Sequence, residues 1–144
     1  MSGPTPAEVA WQDQERAVYA EADAQATDLL ERREAVEMEE LPVWIIAPLR
    51  AAAWAVTSGL VPARPCRHIQ GPMLVATTTW AGNRQVCRPC EAAGVLELPE
   101  AASHLCDPCG RRRKVVAVHR LLDGPVAIHY RLCRSCLAER EATA

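Results

Sequence analysis

The chain has 144 residues, contains no phenylalanine, and has only four tryptophans and two tyrosines. That length allows one ordinary domain or two small ones, and so few large aromatics exclude a fold held by aromatic burial alone. The formal net charge of −2 hides an asymmetry: residues 1–44 carry eleven acidic against three basic side chains, a net of −8, and residues 45–144 carry seven against thirteen, a net of +6. A basic half suits a polyanionic partner, while an acidic arm on the same chain is suited to shield that surface or to bind elsewhere. The N-terminus is polar and acidic, without the basic stretch and apolar run of a secretory signal. The expected compartment is therefore the cytoplasm, where paired cysteines are metal ligands rather than disulfides.

In chain order, Thr5-Pro6-Ala7-Glu8 starts a helix: Thr5 caps it, Pro6 suits the first helical position and Glu8 closes a capping box. Neither Gly nor Pro follows before Pro42. This predicts one long acidic helix over residues 6–40, about 50 Å at 1.5 Å per residue. Its apolar stripe is thin: Trp11, Val18, Tyr19, Ala22, Ala26, Leu29, Leu30 and Val36. So short a chain cannot cover such a helix along its whole length, so it packs on a second copy, a partner or the next helix, or frays as a solvated arm.

Residues 43–63 are the most apolar stretch. They predict a core or dimer helix over 43–58 carrying Trp44, Ile45, Ile46, Leu49 and Trp54, with a second helix starting near Pro48 as a variant. The length approaches the roughly 20 residues of a membrane span. Against a span stand Pro48 and Arg50, the latter costing about 2.5–3.5 kcal/mol on insertion. Val61-Pro62-Ala63-Arg64-Pro65 reads as a linker.

Beyond it, all seven cysteines and one histidine fall into close pairs: Cys66-x-His68, Cys87-x-x-Cys90, Cys106-x-x-Cys109 and Cys133-x-x-Cys136. Two pairs supply the four N/S ligands of a tetrahedral structural Zn²⁺ site, so the pattern predicts two structural zinc ions. Between the first two pairs lie Gly71-Pro72, an extended run Met73–Trp80 and a turn at Ala81-Gly82-Asn83. Between the last two lie the strands Val115–Leu121 and Val126–Leu132 around a turn at Asp123-Gly124, a strong hairpin signal. Val115, Ala117, His119, Leu121, Val126, Ile128, Tyr130 and Leu132 then share an apolar face, and Arg120, His129 and Arg131 lie on the other. Helical stretches follow each second pair. The expected organisation is α+β: a helical region over 1–60, one zinc unit over 61–100 and another over 101–144.

The order of knuckle, hairpin, knuckle and helix over residues 106–140 resembles zinc ribbons and treble-clef fingers, and residues 66–98 follow it with Cys-x-His as first knuckle. The resemblance implies the metal and the fold; those fold classes serve nucleic-acid binders and protein adaptors alike. The expected ligand sets are Cys66, His68, Cys87 and Cys90 for one ion and Cys106, Cys109, Cys133 and Cys136 for the other, with an interleaved cross-brace as the alternative. His104 is a spare ligand or an ordinary loop residue.

Eight ligands fill two closed sites, whereas catalytic zinc keeps an open position. The deaminase signature requires His-x-Glu, which is absent, so a non-enzymatic protein is expected. Arg111-Arg112-Arg113-Lys114 follows the third knuckle, and with Arg131 it makes a phosphate-binding surface for DNA or RNA; Trp80 at a hairpin tip is placed to stack on a base or to pack internally. The competing expectation is a protein adaptor or self-associating protein that binds through its N-terminal helices.

Overall fold

The structure is a computed structural model that describes residues 3–69 and 73–142; for Gln14, Glu15, Ala17, Val18, Tyr19, Ala52 and Thr57 it describes the backbone alone. The Gly71-Pro72 step before the expected extended run lies outside the described residues, and so do the stripe side chains of Val18 and Tyr19.

Helix α1 spans Pro6–Glu31 and opens on the expected capping box: the Glu8 N–H donates to Thr5 Oγ1 (3.2 Å) and the Thr5 N–H to Glu8 Oε2 (2.7 Å). It stops nine residues short of the expected Glu40. Arg33 takes a left-handed φ of 57°, the Arg33 N–H bonds the Leu30 carbonyl and the Glu34 N–H bonds the Leu29 carbonyl. These are the paired bonds of a Schellman cap, built on an arginine where glycine is usual. The next residues supply the tertiary gain: Ala35, Met38 and Leu41 are buried, and Val36–Glu37 becomes a short strand, β1. A 3₁₀ turn at Met38–Glu40 leads into α2, Val43–Thr57. Helix α2 is continuous, with Pro48 inside it. It buries Ile45, Ile46 and Leu49 and leaves Trp54 exposed. No helix among the described residues is long and apolar enough to cross a membrane.

The remaining strands are β2 (Arg64–Pro65), β3 (Val75–Thr78), β4 (Arg84–Cys87), β5 (Val116–Asp123) and β6 (Val126–Cys133), with α3 (Arg88–Ala92) after β4 and α4 (Arg134–Ala142) after β6. They form a mixed sheet in the order β1-β5-β6-β3-β4-β2. The two hairpins are joined edge to edge: β3 runs parallel to β6, with Val75 opposite Val126 and Thr78 opposite His129. One sheet therefore passes through both cysteine-bearing stretches.

The β5–β6 hairpin closes with Asp123 opposite Val126, so the turn is Gly124-Pro125, one residue later than expected, with Gly124 supplying a φ of 57°. This moves the register by two residues, and an even slip keeps every side chain on its face. Leu121, Tyr130 and Leu132 accordingly share one core with Ile45, Ile46 and Leu49 of α2. The opposite face is covered as well. Leu122, Ala127, Ala76 and Val86 pack there with Leu29 near the end of α1 and with Leu96. The first turns of α1 reach past this core, and the described side chains of residues 3–13 are all exposed.

Candidate metal centres

Each centre is built by the same local device. In the first, the Cys66 N–H bonds the Gln85 carbonyl, which lays the residue after β2 alongside β4. Cys87 ends β4, and Cys90 lies in the short helix α3 that begins at once. In the second, Cys106 and Cys109 sit on a tight turn that Gly110 closes with a φ of 66°, its N–H on the Cys106 carbonyl. Cys133 ends β6 and Cys136 lies in the first turn of α4. In both, the N–H of the strand-end cysteine points at a sulfur of the other pair: Cys87 to Cys66 Sγ at 3.4 Å and Cys133 to Cys106 Sγ at 3.3 Å.

The ligand atoms gather as consecutive pairs, not interleaved: Cys66, His68, Cys87 and Cys90 form one set and Cys106, Cys109, Cys133 and Cys136 the other, with all atoms of a set within 4.8 Å of one another. A tetrahedron with bonds of ~2.3 Å has edges of about 3.8 Å. The observed separations bracket that value: 3.3 and 3.7 Å from His68 Nδ1 to the sulfurs of Cys90 and Cys87, 3.6 Å between Cys106 and Cys136, and 4.0 Å between Cys109 and Cys133. Both clusters can hold a metal ion. His104 is not in either set; its Nδ1 lies 3.1 Å from the Arg113 carbonyl.

The donor chemistry points the same way. Burial raises the Cys66 thiol, but the N–H groups of Cys87 and His68 outweigh it and bring it down to about 6. Contact with Cys87, burial and the charge of nearby thiolates push Cys90 up to about 11. The second centre divides likewise, with Cys109 brought down to about 7 and Cys136 driven far up by burial and the neighbouring sulfurs. Sulfurs this close cannot all ionise against one another, and a cation among them removes the conflict.

Comparison with protein families, with curated proteins and with solved structures returned no match to this chain.

The cations expected to bind phosphate separate into two groups. Arg111, Arg112 and Lys114 are exposed. Arg113 is half-buried, and contact with the Cys109 sulfur and the charges of Cys133 and Cys109 stabilise its guanidinium. A Cys₄ centre with a divalent ion keeps a charge of about −2, and Arg113 offsets part of it.

Arg131 is withdrawn from the surface altogether, with only 6% of its side chain exposed. Its Nε and Nη2 donate to Asp107 Oδ2 and Oδ1 at 3.2 and 2.7 Å, and its Nη1 donates to the Ala102 carbonyl at 2.9 Å. The Trp80 ring lies against that guanidinium, 5.6 Å from ring centre to Cζ. Arg131 is thus occupied inside the fold and is removed from the candidate phosphate surface, while Trp80 is half-buried and packs against it and the His129 ring.

Sequence patterns gave no warning of the polar partners on this face. Glu91, beside Cys90, accepts from His129 Nε2 at 2.7 Å and pairs with Arg120 at 3.4 Å, its side chain only 7% exposed. Burial raises its carboxyl, but the hydrogen bond from His129 and the charge of Arg120 outweigh it and hold the group below the usual carboxylate range. The one available signal was the grouping of Arg120, His129 and Arg131 on one face of the hairpin, which calls for acidic partners that spacing alone does not identify.

Proposed function

We propose that this chain is a small non-enzymatic cytoplasmic protein whose two metal centres hold structural Zn²⁺ in zinc-ribbon-like mounts, and that it binds nucleic acid through Arg111, Arg112 and Lys114. Zinc is favoured by the soft N/S donor sets and their tetrahedral edge lengths. Four ligands per ion leave no open position for a substrate, which supports a structural role.

The observation that carries the nucleic-acid assignment is the mounting of the cations. The turn bearing them is pinned on both sides, by the Cys106 N–H on the Arg111 carbonyl (3.1 Å) and the Arg113 N–H on the His104 carbonyl (2.7 Å). Charges on a rigid metal-stapled turn lose little freedom when phosphate binds, whereas a flexible run must be ordered first. The test is fluorescence anisotropy of labelled single-stranded and duplex oligonucleotides across a salt series. Replacing Arg111, Arg112 and Lys114 with alanine is expected to weaken binding uniformly across sequences and to flatten the salt dependence by about 0.7–0.9 for each phosphate no longer neutralised. Unchanged affinity and slope in the triple variant would remove the proposal.

A protein-adaptor role draws support from α1, whose Trp11 is 64% exposed on an acidic helix. Because Ala22 and Leu29 of the same helix are buried, the informative deletion is residues 1–20. It is expected to leave metal content intact while abolishing capture of any partner held by the arm; a truncated chain that captures the same partners counts against this role.

A further inference from the structure

We infer that the outer edge of β5 is a docking site for an extended acidic peptide, added as a further strand of the sheet. β1 contributes only Val36 and Glu37, opposite Leu121 and Leu122, and the residues before it, Arg33–Ala35, face Val118–Arg120 across a groove without strand pairing to them. Val116–Arg120 has β6 on one side and no strand on the other among the described residues. The hairpin closes on Asp123 and Val126, so Leu121, His119 and Ala117 exchange bonds with β6. The N–H and C=O groups of Val116 and Val118 and the N–H of Arg120 therefore point outward, while the Arg120 carbonyl is taken by Val36 of β1. This open edge is about 16 Å long at roughly 3.3 Å per residue, and its backbone groups form a template for strand addition.

Charge selects the occupant. The edge borders an open groove of about 630 Å³ whose lining carries three arginines, Arg33, Arg120 and Arg140, and the rings of His119 and His129 against the carboxylate of Glu34, with the buried Glu91 behind Arg120 and His129. Side chains of an added strand alternate between the two faces. On one face they meet His119, whose ring packs 5.8 Å from that of Tyr130, and Arg140, which donates to the Tyr130 hydroxyl. On the other they meet Arg120, anchored to Glu91 and Glu34. Both faces thus favour carboxylates. A second copy of this chain presenting the same edge would set these cations against one another, so an acidic partner is the better fit.

The test uses the metal-loaded full chain and a fluorescent peptide of alternating Glu and Val, with the Lys-for-Glu peptide as control. Expected are saturable binding of the acidic peptide alone and slowed hydrogen exchange at the amides of Val116, Val118 and Arg120. Val118→Pro, which blocks an edge N–H, and Arg33→Glu, which reverses a groove charge, are each expected to weaken binding at least tenfold, while the Arg111, Arg112 and Lys114 alanine variant binds as before. If Val118→Pro does not fold, Arg33→Glu with the exchange measurement carries the test. Absence of amide protection overturns the inference. So does unchanged affinity in Arg33→Glu, loss of binding confined to the Arg111, Arg112 and Lys114 variant, or displacement of the peptide by an oligonucleotide that protects the same amides.

Discussion

Chelating metal from the folded protein is expected to unfold the sheet, not merely to empty two surface sites. Cys106, Cys133 and Cys136 belong to the same buried cluster as Ile45, Leu121 and Tyr130, and Cys66 and Cys90 pack against the cluster around Leu29 and Val86. Each centre therefore sits at the end of a hydrophobic core. Structural Zn²⁺ contributes an apparent binding free energy of about 10–16 kcal/mol in small domains, against a net folding stability of typically about 5–15 kcal/mol. Removal of the ions should exceed the whole margin. Because β3 and β6 are paired over four residues, loss of one centre should loosen the other. Cys87→Ser, which touches only the first, is expected to lower metal content below the single equivalent that independent centres would retain. The measurement is metal release to a colorimetric chelator followed alongside far-ultraviolet circular dichroism. Full release with an unchanged spectrum would sink the prediction, and a Cys87→Ser variant holding one tight equivalent would sink the coupling.

The parts of this arrangement that are local in sequence are legible there. Spacing within each Cys pair is set by the geometry of one metal turn, so the eight ligands stand out without any knowledge of the fold. The start of α1 is equally local, since Thr5, Pro6 and Glu8 are all in its first turn. The hairpin face survives a misplaced turn because strand faces repeat every two residues. What escapes is decided at a distance. Nothing near Arg33 marks a helix end, as neither Gly nor Pro is present; the left-handed turn there is repaid by burying Ala35, Met38 and Leu41 beneath a strand more than eighty residues later. The parallel β3–β6 pairing likewise has no short-range signature, and it turns two metal hairpins into one sheet. Arg131 shows the same limit at a single residue. In the sequence it is a cation near a knuckle, and only the arrival of Asp107 from the other pair makes it structural.

The Asp107–Arg131 pair should be the most sensitive point outside the ligands themselves. Asp107 lies between Cys106 and Cys109, and its carboxylate accepts from the Arg131 N–H (2.6 Å), from Arg131 Nε and Nη2, and from the Thr79 hydroxyl (2.7 Å). It thereby ties the knuckle of the second centre to β6 and to the turn after β3, a three-way junction across the shared sheet. The Arg131 side chain is 6% exposed and that of Asp107 12%, so neither charge can return to water when its partner is lost. Removing one member of such a buried pair costs about 3–5 kcal/mol, whereas replacing both with apolar groups of similar volume is often nearly neutral. Asp107→Ala and Arg131→Met are therefore each expected to destabilise the metal-loaded protein by about 3–5 kcal/mol, with weaker metal retention at the second centre. The double variant Asp107→Leu, Arg131→Met is expected to recover part of that loss, because no charge is left stranded. Chemical denaturation at matched metal occupancy reads the effect, and competition with a chelator reads retention. A loss below about 1 kcal/mol in both single variants would place the pair in the class of exposed ion pairs and refute its role as the junction. A double variant no better than the worse single one would show that the cost lies in the hydrogen bonds to the Arg131 backbone and Thr79 rather than in stranded charge.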